Sequence, residues 1–246
     1  MNPFQKPAPN PATQYTSGPT PKSRLPQLML LVVIVVSVVI FSFAISANYF
    51  GTNAKKAGTT SDLSIKQIIV GNDVLNIPAN VFRFEEQRQA TTLKRLDLFY
   101  YWPGFQGYSK ANHNLFYGQD SSTENLIFSS IENRKMQLDM SARLQPVYSG
   151  LLEGEQKQSV GGLIFQRLKP EAGYSGEELH YQTEGPAPYV VRCQRIGNGE
   201  ISSSCMRDIH IGKGLALSYR FSRKLLPHWR AIEATMQKLT YGYLSN

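Results

Sequence analysis

YVVRCQRIGNGEISSSCMRDIHI, Tyr189 to Ile211, decides the fold. It holds both cysteines of the chain, Cys193 and Cys205, on either side of the turn signal Ile196-Gly197-Asn198-Gly199-Glu200. A three-residue loop, Asn198-Gly199-Glu200, sets Cys193 directly opposite Cys205 in an antiparallel hairpin. Side chains opposed at a non-hydrogen-bonded pair come close enough for a disulfide. A two-residue Asn198-Gly199 turn would put the cysteines one residue out of register. A metal site is disfavoured, because two thiolates need two more ligands and His210 is the only histidine nearby. The pattern therefore predicts a disulfide-bonded hairpin in an oxidising compartment.

Outward from this hairpin, short alternating or β-branched runs dominate. They fall at Ser64–Val70, Val74–Ile77, Val81–Glu85, Leu93–Trp102, Leu126–Ile131, Val160–Leu168, Glu178–Gln182 and Leu215–Phe221, beside the two arms of the hairpin. Leu93–Trp102 shows period two, with Leu96, Leu98, Tyr100 and Trp102 on one face and Arg95 and Asp97 on the other. Helical signals are fewer. Met136, Met140 and Leu144 recur at a spacing of four ahead of Pro146. Near the C-terminus Trp229, Ile232, Met236, Leu239 and Tyr243 line one helical face, with Pro227 suited to the first turn. Strands ending in a helix predict class α+β, a mainly antiparallel sheet packed by helices.

The N-terminal quarter is different in kind. Residues 1–26 carry seven of the fourteen prolines and no acid, so they cannot offset their ordering entropy and read as a disordered tail. Leu28 to Ala47, LMLLVVIVVSVVIFSFAISA, is apolar all round apart from three serines, and no charge interrupts Arg24 to Lys55. Twenty helical residues span about 30 Å, the thickness of a hydrocarbon core. The segment reads as a transmembrane helix over 27–49. A cleaved signal peptide, with Ala44 and Ser46 at the −3 and −1 positions, is the weaker reading because the apolar run is longer than an ordinary h-region. Lys22 and Arg24 before the span, against Lys55 and Lys56 beyond it, favour a cytoplasmic N-terminus. Residues 50–61 read as a flexible linker and 62–246 as one exported domain. The bilayer, reached through residues 28–47, is then one partner. A net charge of +8 is scattered, without a basic stripe, and no nucleic-acid partner is expected.

Catalytic signatures are sparse. A nucleophile elbow, a P-loop, a dinucleotide fingerprint and zinc spacings are all missing, so no cofactor and no metal are expected. Asp208 and His210, two apart on a strand and hence on one face, form the weak candidate for a general base, with His113 as another histidine. The aromatic stretch 100–118 has two readings. It is structural, with Pro103-Gly104 turning the chain, Ser109 capping a short helix over Lys110–Tyr117, Gly118 at its exit, and Ala111 and Leu115 facing the sheet. Otherwise Tyr101, Trp102, Tyr108, Asn112 and His113 line a ligand groove. Arg192, Arg195 and Arg207, around the cysteine hairpin, are candidates for an anion. Glu177-Glu178 reads as a solvated strand edge.

The runs FYYWPGFQGYSKAN (99–112), RCQRIGNGEISSSCMRD (192–208) and LSYRFSRKLLPHW (217–229) resemble those of uncharacterised alphaproteobacterial single-pass inner-membrane proteins with an exported domain. The likeness covers most of 64–245. It implies a bacterial inner-membrane protein whose C-terminal domain faces the periplasm, and it implies no activity. With no catalytic constellation visible, the sequence favours a non-enzymatic interaction or assembly module of the cell envelope with a protein partner there. An envelope hydrolase or a ligand-binding module is the alternative.

Overall fold

The computed structural model describes residues 36–37, 58–118, 124–174, 176–184, 187–194 and 203–245. The chain divides into two units, Met1–Ala54 and Lys55–Asn246, and the second carries every described strand. Among the described residues no helix is long and apolar enough to cross a membrane. The expected tail, residues 1–26, lies outside the described residues, as does the expected span, residues 28–47, apart from Val36 and Ser37. The end of the expected linker is tied down: Gly58 O accepts from Arg88 Nη1 at 2.8 Å and Ser61 Oγ from the Lys110 amide at 2.9 Å.

The domain is α+β. Strands β1 (Ile65–Val70), β2 (Asp73–Pro78) and β3 (Thr92–Leu93) form a three-stranded sheet in the order β2-β1-β3, with β1 and β2 antiparallel. A larger sheet holds eight strands: β4 (Arg95–Tyr101), β5 (Leu126–Asn133), β6 (Leu152–Gln158), β7 (Ile164–Leu168), β8 (Glu177–Gln182), β9 (Tyr189–Gln194), β10 (Ser204–Ile211) and β11 (Leu215–Ser222), in the order β4-β5-β11-β10-β9-β8-β7-β6. Every described pair in it is antiparallel. Helix α1 (Glu85–Gln89) and α2 (His113–Tyr117) are short, and α3 (Trp229–Tyr243) closes the chain.

Period two dictates the layers. Leu96, Leu98 and Tyr100 of β4 join Ile127, Ile131, Val191, Ile209, Leu217 and Phe221 on the inner face of the large sheet. Against that face pack Ile68, Val70, Leu75 and Ile77 of the small sheet and Trp229, Ile232, Met236 and Tyr243 of α3. The α3 face expected from spacing is the buried one, with Leu239 partly buried against the core. Two loops cover parts of the outer face. One brings Met140, Leu144 and Tyr148 onto Leu179 and Val190, and the other brings Tyr108 and Phe116 onto Phe99 and Leu126.

Cys193 and Cys205 face each other in register and are joined by a disulfide. The loop expected between them, Asn198-Gly199-Glu200, lies outside the described residues. Between β9 and β10 the described register consists of Cys193 with Cys205 and Arg192 with Met206 alone. This is the thinnest described seam of the large sheet, and the disulfide crosses it.

Four sequence readings are corrected. Val81–Glu85 is not a strand: Ala79–Val81 is a 3-10 turn, Phe82 makes a single bridge to Leu98, and Glu85 opens α1. Met136–Leu144 is a series of turns rather than a helix, burying Met140 and Leu144 while Met136 stays exposed. Val160–Gly162 is a 3-10 turn ahead of β7. Gly161 there has φ +67°, and a Cβ would lie 2.9 Å from Trp229 Cδ1, so glycine alone fits. Within 109–118, Ser109 caps and Leu115 packs half-buried against the sheet as expected, but Ala111 is exposed and Phe116 is the residue buried beside Leu115.

Candidate functional site

Strand register sets side chains on the outer face in rows running across the sheet. One row is Asp97, Ser130, Ser218 and Asp208, from β4, β5, β11 and β10. The next is Phe99, Phe128, Arg220, Met206 and Arg192, extending into β9. On the other side run Arg95, Glu132, Ala216 and His210. The middle positions, Ser130, Ser218 and Ala216, are short. The result is an open groove of about 540 Å³, floored by the serines and walled by Arg83, Arg95, Phe128, Met206 and Arg220.

Arg83 reaches the groove because its amide donates to the Asp97 carbonyl at 3.1 Å, which runs residues 82–83 along the edge of β4. Its guanidinium lies 4.8 Å from the Phe128 ring centre and 5.1 Å from that of Phe84. The carboxylates nearby are already engaged. Asp97 accepts from Arg95 Nε at 2.9 Å and Gln87 Nε2 at 3.0 Å, and Glu132 accepts from Lys135 Nζ at 2.8 Å. Among the described residues Arg83 and Arg220 have no carboxylate partner. Arg220 is exposed, and its Nη2 lies 4.0 Å from Met206 Sδ.

An adjoining basin of about 370 Å³ shares Glu132, Met206 and Ser218 with the groove and adds Arg143, Asp208 and His210. Here Asp208 and His210 do share a face, as expected. However, Asp208 is held by Arg143 Nη2, and the His210 amide points to Asp139 Oδ2 at 3.4 Å. The carboxylate is thus spent on a guanidinium. Arg192 pairs with Glu177 and lies over Tyr174. Arg207 is on the opposite, inner face, and Arg195 lies outside the described residues. Strand alternation therefore parts the two described members of the expected arginine cluster.

The aromatic candidates are parted in the same way. Trp102 packs on the main core and beside His228, whereas Tyr101 and Tyr108 belong to the cluster on the other face. Tyr108 Oη meets His113 Nδ1 at 3.1 Å, and Asn112 closes the Ser109 cap and donates to the Gly107 carbonyl. Each of these contacts fixes the loop. The Trp102–Pro103 bond is cis, within the turn expected there.

Two buried polar networks on the inner face escaped sequence reasoning. Glu178 is not a solvated edge residue, since β8 lies inside the sheet between β7 and β9. Its Oε1 meets His180 Nε2 at 2.8 Å and the Arg223 guanidinium, while His180 Nδ1 meets Ser159 Oγ at 2.8 Å. Burial pushes the Glu178 carboxyl up, but the hydrogen bond with His180 and the charge of Arg223 outweigh it and hold the group below its ordinary range. An imidazole between a hydroxyl and a carboxylate has the outline of a nucleophile relay. His180 is 1% exposed and stacks on Phe165, so the imidazole itself is enclosed, while Ser159 is half-buried. The network pins the 159–163 loop to the sheet. In the second, Arg207 Nε and Nη2 donate to Glu233 of α3 at 2.8 and 3.0 Å, Nη1 donates to the Val190 carbonyl at 2.8 Å, and Tyr219 Oη donates to Glu233. The signal for Glu178 and His180 was their spacing of two on a strand, the same spacing that singled out Asp208 and His210.

No family model matches the chain, and no curated protein does. Among solved structures the chain is similar to Smlt3025, an immunity protein of the Stenotrophomonas maltophilia type IV secretion system. The identity is 15% and the TM-score 0.53, over 78% of this chain and 100% of that one. The iron-regulated outer membrane lipoprotein FrpD of Neisseria meningitidis is similar at 15% identity and a TM-score of 0.47, over 78% of this chain and 98% of that one. The likeness to the immunity protein is one of fold.

Proposed function

We propose that the chain is a membrane-anchored interaction module of the bacterial cell envelope. Residues 28–47 hold it in the inner membrane with the N-terminus cytoplasmic, the α+β domain lies in the periplasm, and the outer-face groove docks a protein partner. The observation that carries this reading is the groove itself, an open stretch of sheet lined by two guanidinium groups, of Arg83 and Arg220, with no carboxylate partner among the described residues. The Cys193–Cys205 disulfide supports an oxidising compartment. A fold shared with an immunity protein of a secretion system supports an envelope-associated binding role, as does the resemblance to single-pass inner-membrane proteins. Against the hydrolase alternative, the Asp208 carboxylate is tied to Arg143.

The test is photocrosslinking in intact cells. A benzophenone amino acid replacing Met206, on the groove wall, is expected to give one product of defined mass. The same group replacing the exposed Lys157 of β6 should give none. Equal products from both positions, or none from Met206, would sink the reading.

A further inference from the structure

Phe128 is the centre of the unexplained charge in the groove. Arg83 lies over its ring at 4.8 Å, and Arg220 is its register partner on β11. Adjacent strands are about 5 Å apart, and both arginines line the groove on either side of that ring's position. Stacking on an aromatic ring holds a guanidinium in place while leaving its in-plane N–H groups free for a carboxylate. Neither arginine has a carboxylate partner among the described residues, whereas Asp97, Glu132 and Asp208 each have a cation. Ser130 and Ser218, opposed in register, add hydroxyl donors to the floor between them.

From this we infer that the groove binds an extended acidic segment of a protein, with carboxylates at alternate positions. In an extended chain, side chains two residues apart point the same way and stand about 7 Å apart. That spacing lets two carboxylates reach two cations that both neighbour Phe128. One carboxylate pairs with Arg83 across the Phe128 ring, and the second pairs with Arg220. The segment lies along the serine floor, where Ser130 and Ser218 donate to its carbonyls. Arg83 is held by its two rings and both arginines are exposed, so binding requires no rearrangement of the sheet. This inference rests on the proposed docking role and names the chemistry of its partner.

The experiment uses the full chain in nanodiscs of uncharged phosphatidylcholine, with fluorescein-labelled Glu-Ser-Glu-Ser-Glu as the probe and Gln-Ser-Gln-Ser-Gln as its neutral counterpart. Anisotropy should report binding of the acidic peptide alone, weakening as salt is added. Arg83→Ala and Arg220→Ala should each weaken it about tenfold or more, as expected for a charge-assisted hydrogen bond. Arg220→Lys should restore part, and Arg134→Ala, an exposed arginine outside the groove, should change nothing. Both groove arginines are exposed, so the thermal midpoint of each variant should match that of the wild type. Equal loss with Arg134→Ala would reduce the effect to net charge and overturn the inference. Full displacement by inorganic phosphate at matched charge would overturn it in favour of a small free anion. If the peptide fails to bind while the Met206 crosslink persists, the acidic partner falls and the docking role stands. If peptide binding persists but the crosslink is lost, the docking role in cells falls instead.

Discussion

Reducing the Cys193–Cys205 bond should lower the stability of the domain by about 3 kcal/mol. The bond closes a loop of sequence separation 12. In the chain-entropy account a loop of that order constrains the unfolded state by about 3 kcal/mol at 25 °C. Both cysteines are 0% exposed within the main core, and as thiols they remain packed there, so reduction opens no cavity and isolates the loop effect. For a domain of this size each kcal/mol moves the thermal midpoint by about 2–4 °C. The expected fall is therefore roughly 6–12 °C, read by circular dichroism on oxidised and reduced protein at equal concentration. Urea titration should agree, and the native oxidised protein should take up no thiol label. A loss below about 1 kcal/mol would refute the reasoning, because it would mean that the unfolded chain already keeps these two strands together. A labelled Cys193 in protein taken directly from the cell envelope would remove the compartment argument as well.

Two further outcomes follow from the buried networks. Glu233→Ala leaves Arg207 charged and unpaired beneath α3, at a cost of about 3–5 kcal/mol in urea unfolding. Replacing both residues by apolar ones of similar size should cost clearly less, and equal losses would show that the ion pair is not the cause. The Glu178 carboxyl is held below its ordinary value of 4.5 in the folded state. Its contribution is therefore fully present above about pH 4.5 and is lost as pH falls through the folded value. Between pH 6 and pH 3 the wild type should lose more stability than Glu178→Gln, and parallel curves would deny the linkage.

The legible parts of the fold are those where a side-chain pattern meets one face. Leu96, Leu98 and Tyr100 alternate because β4 has a dry inner face, and the facing cysteines mark their hairpin by local geometry alone. Strand β6, LEGEQKQ, gives no such signal, since it is an edge strand exposed from Glu153 onward. Met136, Met140 and Leu144 imitate a helical stripe, yet two anchors are enough to pin a series of turns. Glu178 looked solvated because sequence does not say whether a strand is at the edge or the centre of a sheet. The groove was invisible for a deeper reason. Asp97, Ser130, Ser218 and Asp208 are far apart in the chain and become neighbours only through the strand order β4-β5-β11-β10.

That strand order also explains why the disulfide sits where it does. The first four strands of the large sheet carry the groove, and the last four carry Glu178, His180 and the loop clamped by Trp229. The halves meet at β9 and β10, where the described register is short. Among the described residues, side-chain links support that seam beside the two register pairs: the disulfide, the Ser204 hydroxyl to Gln194, Arg207 to the Val190 carbonyl and over the Tyr189 ring, and Arg223 to the Gln194 carbonyl and to Glu178. The groove proper lies wholly on one side, so Arg83, Phe128 and Arg220 keep their arrangement whether or not the seam is covalently closed. The adjoining basin spans it, with Arg192 on β9 and Asp208 on β10. A reducing environment would thus loosen the basin before the groove. Under the proposed docking role the disulfide therefore bears on the basin, whose two walls it ties together, while peptide binding in the groove should survive reduction.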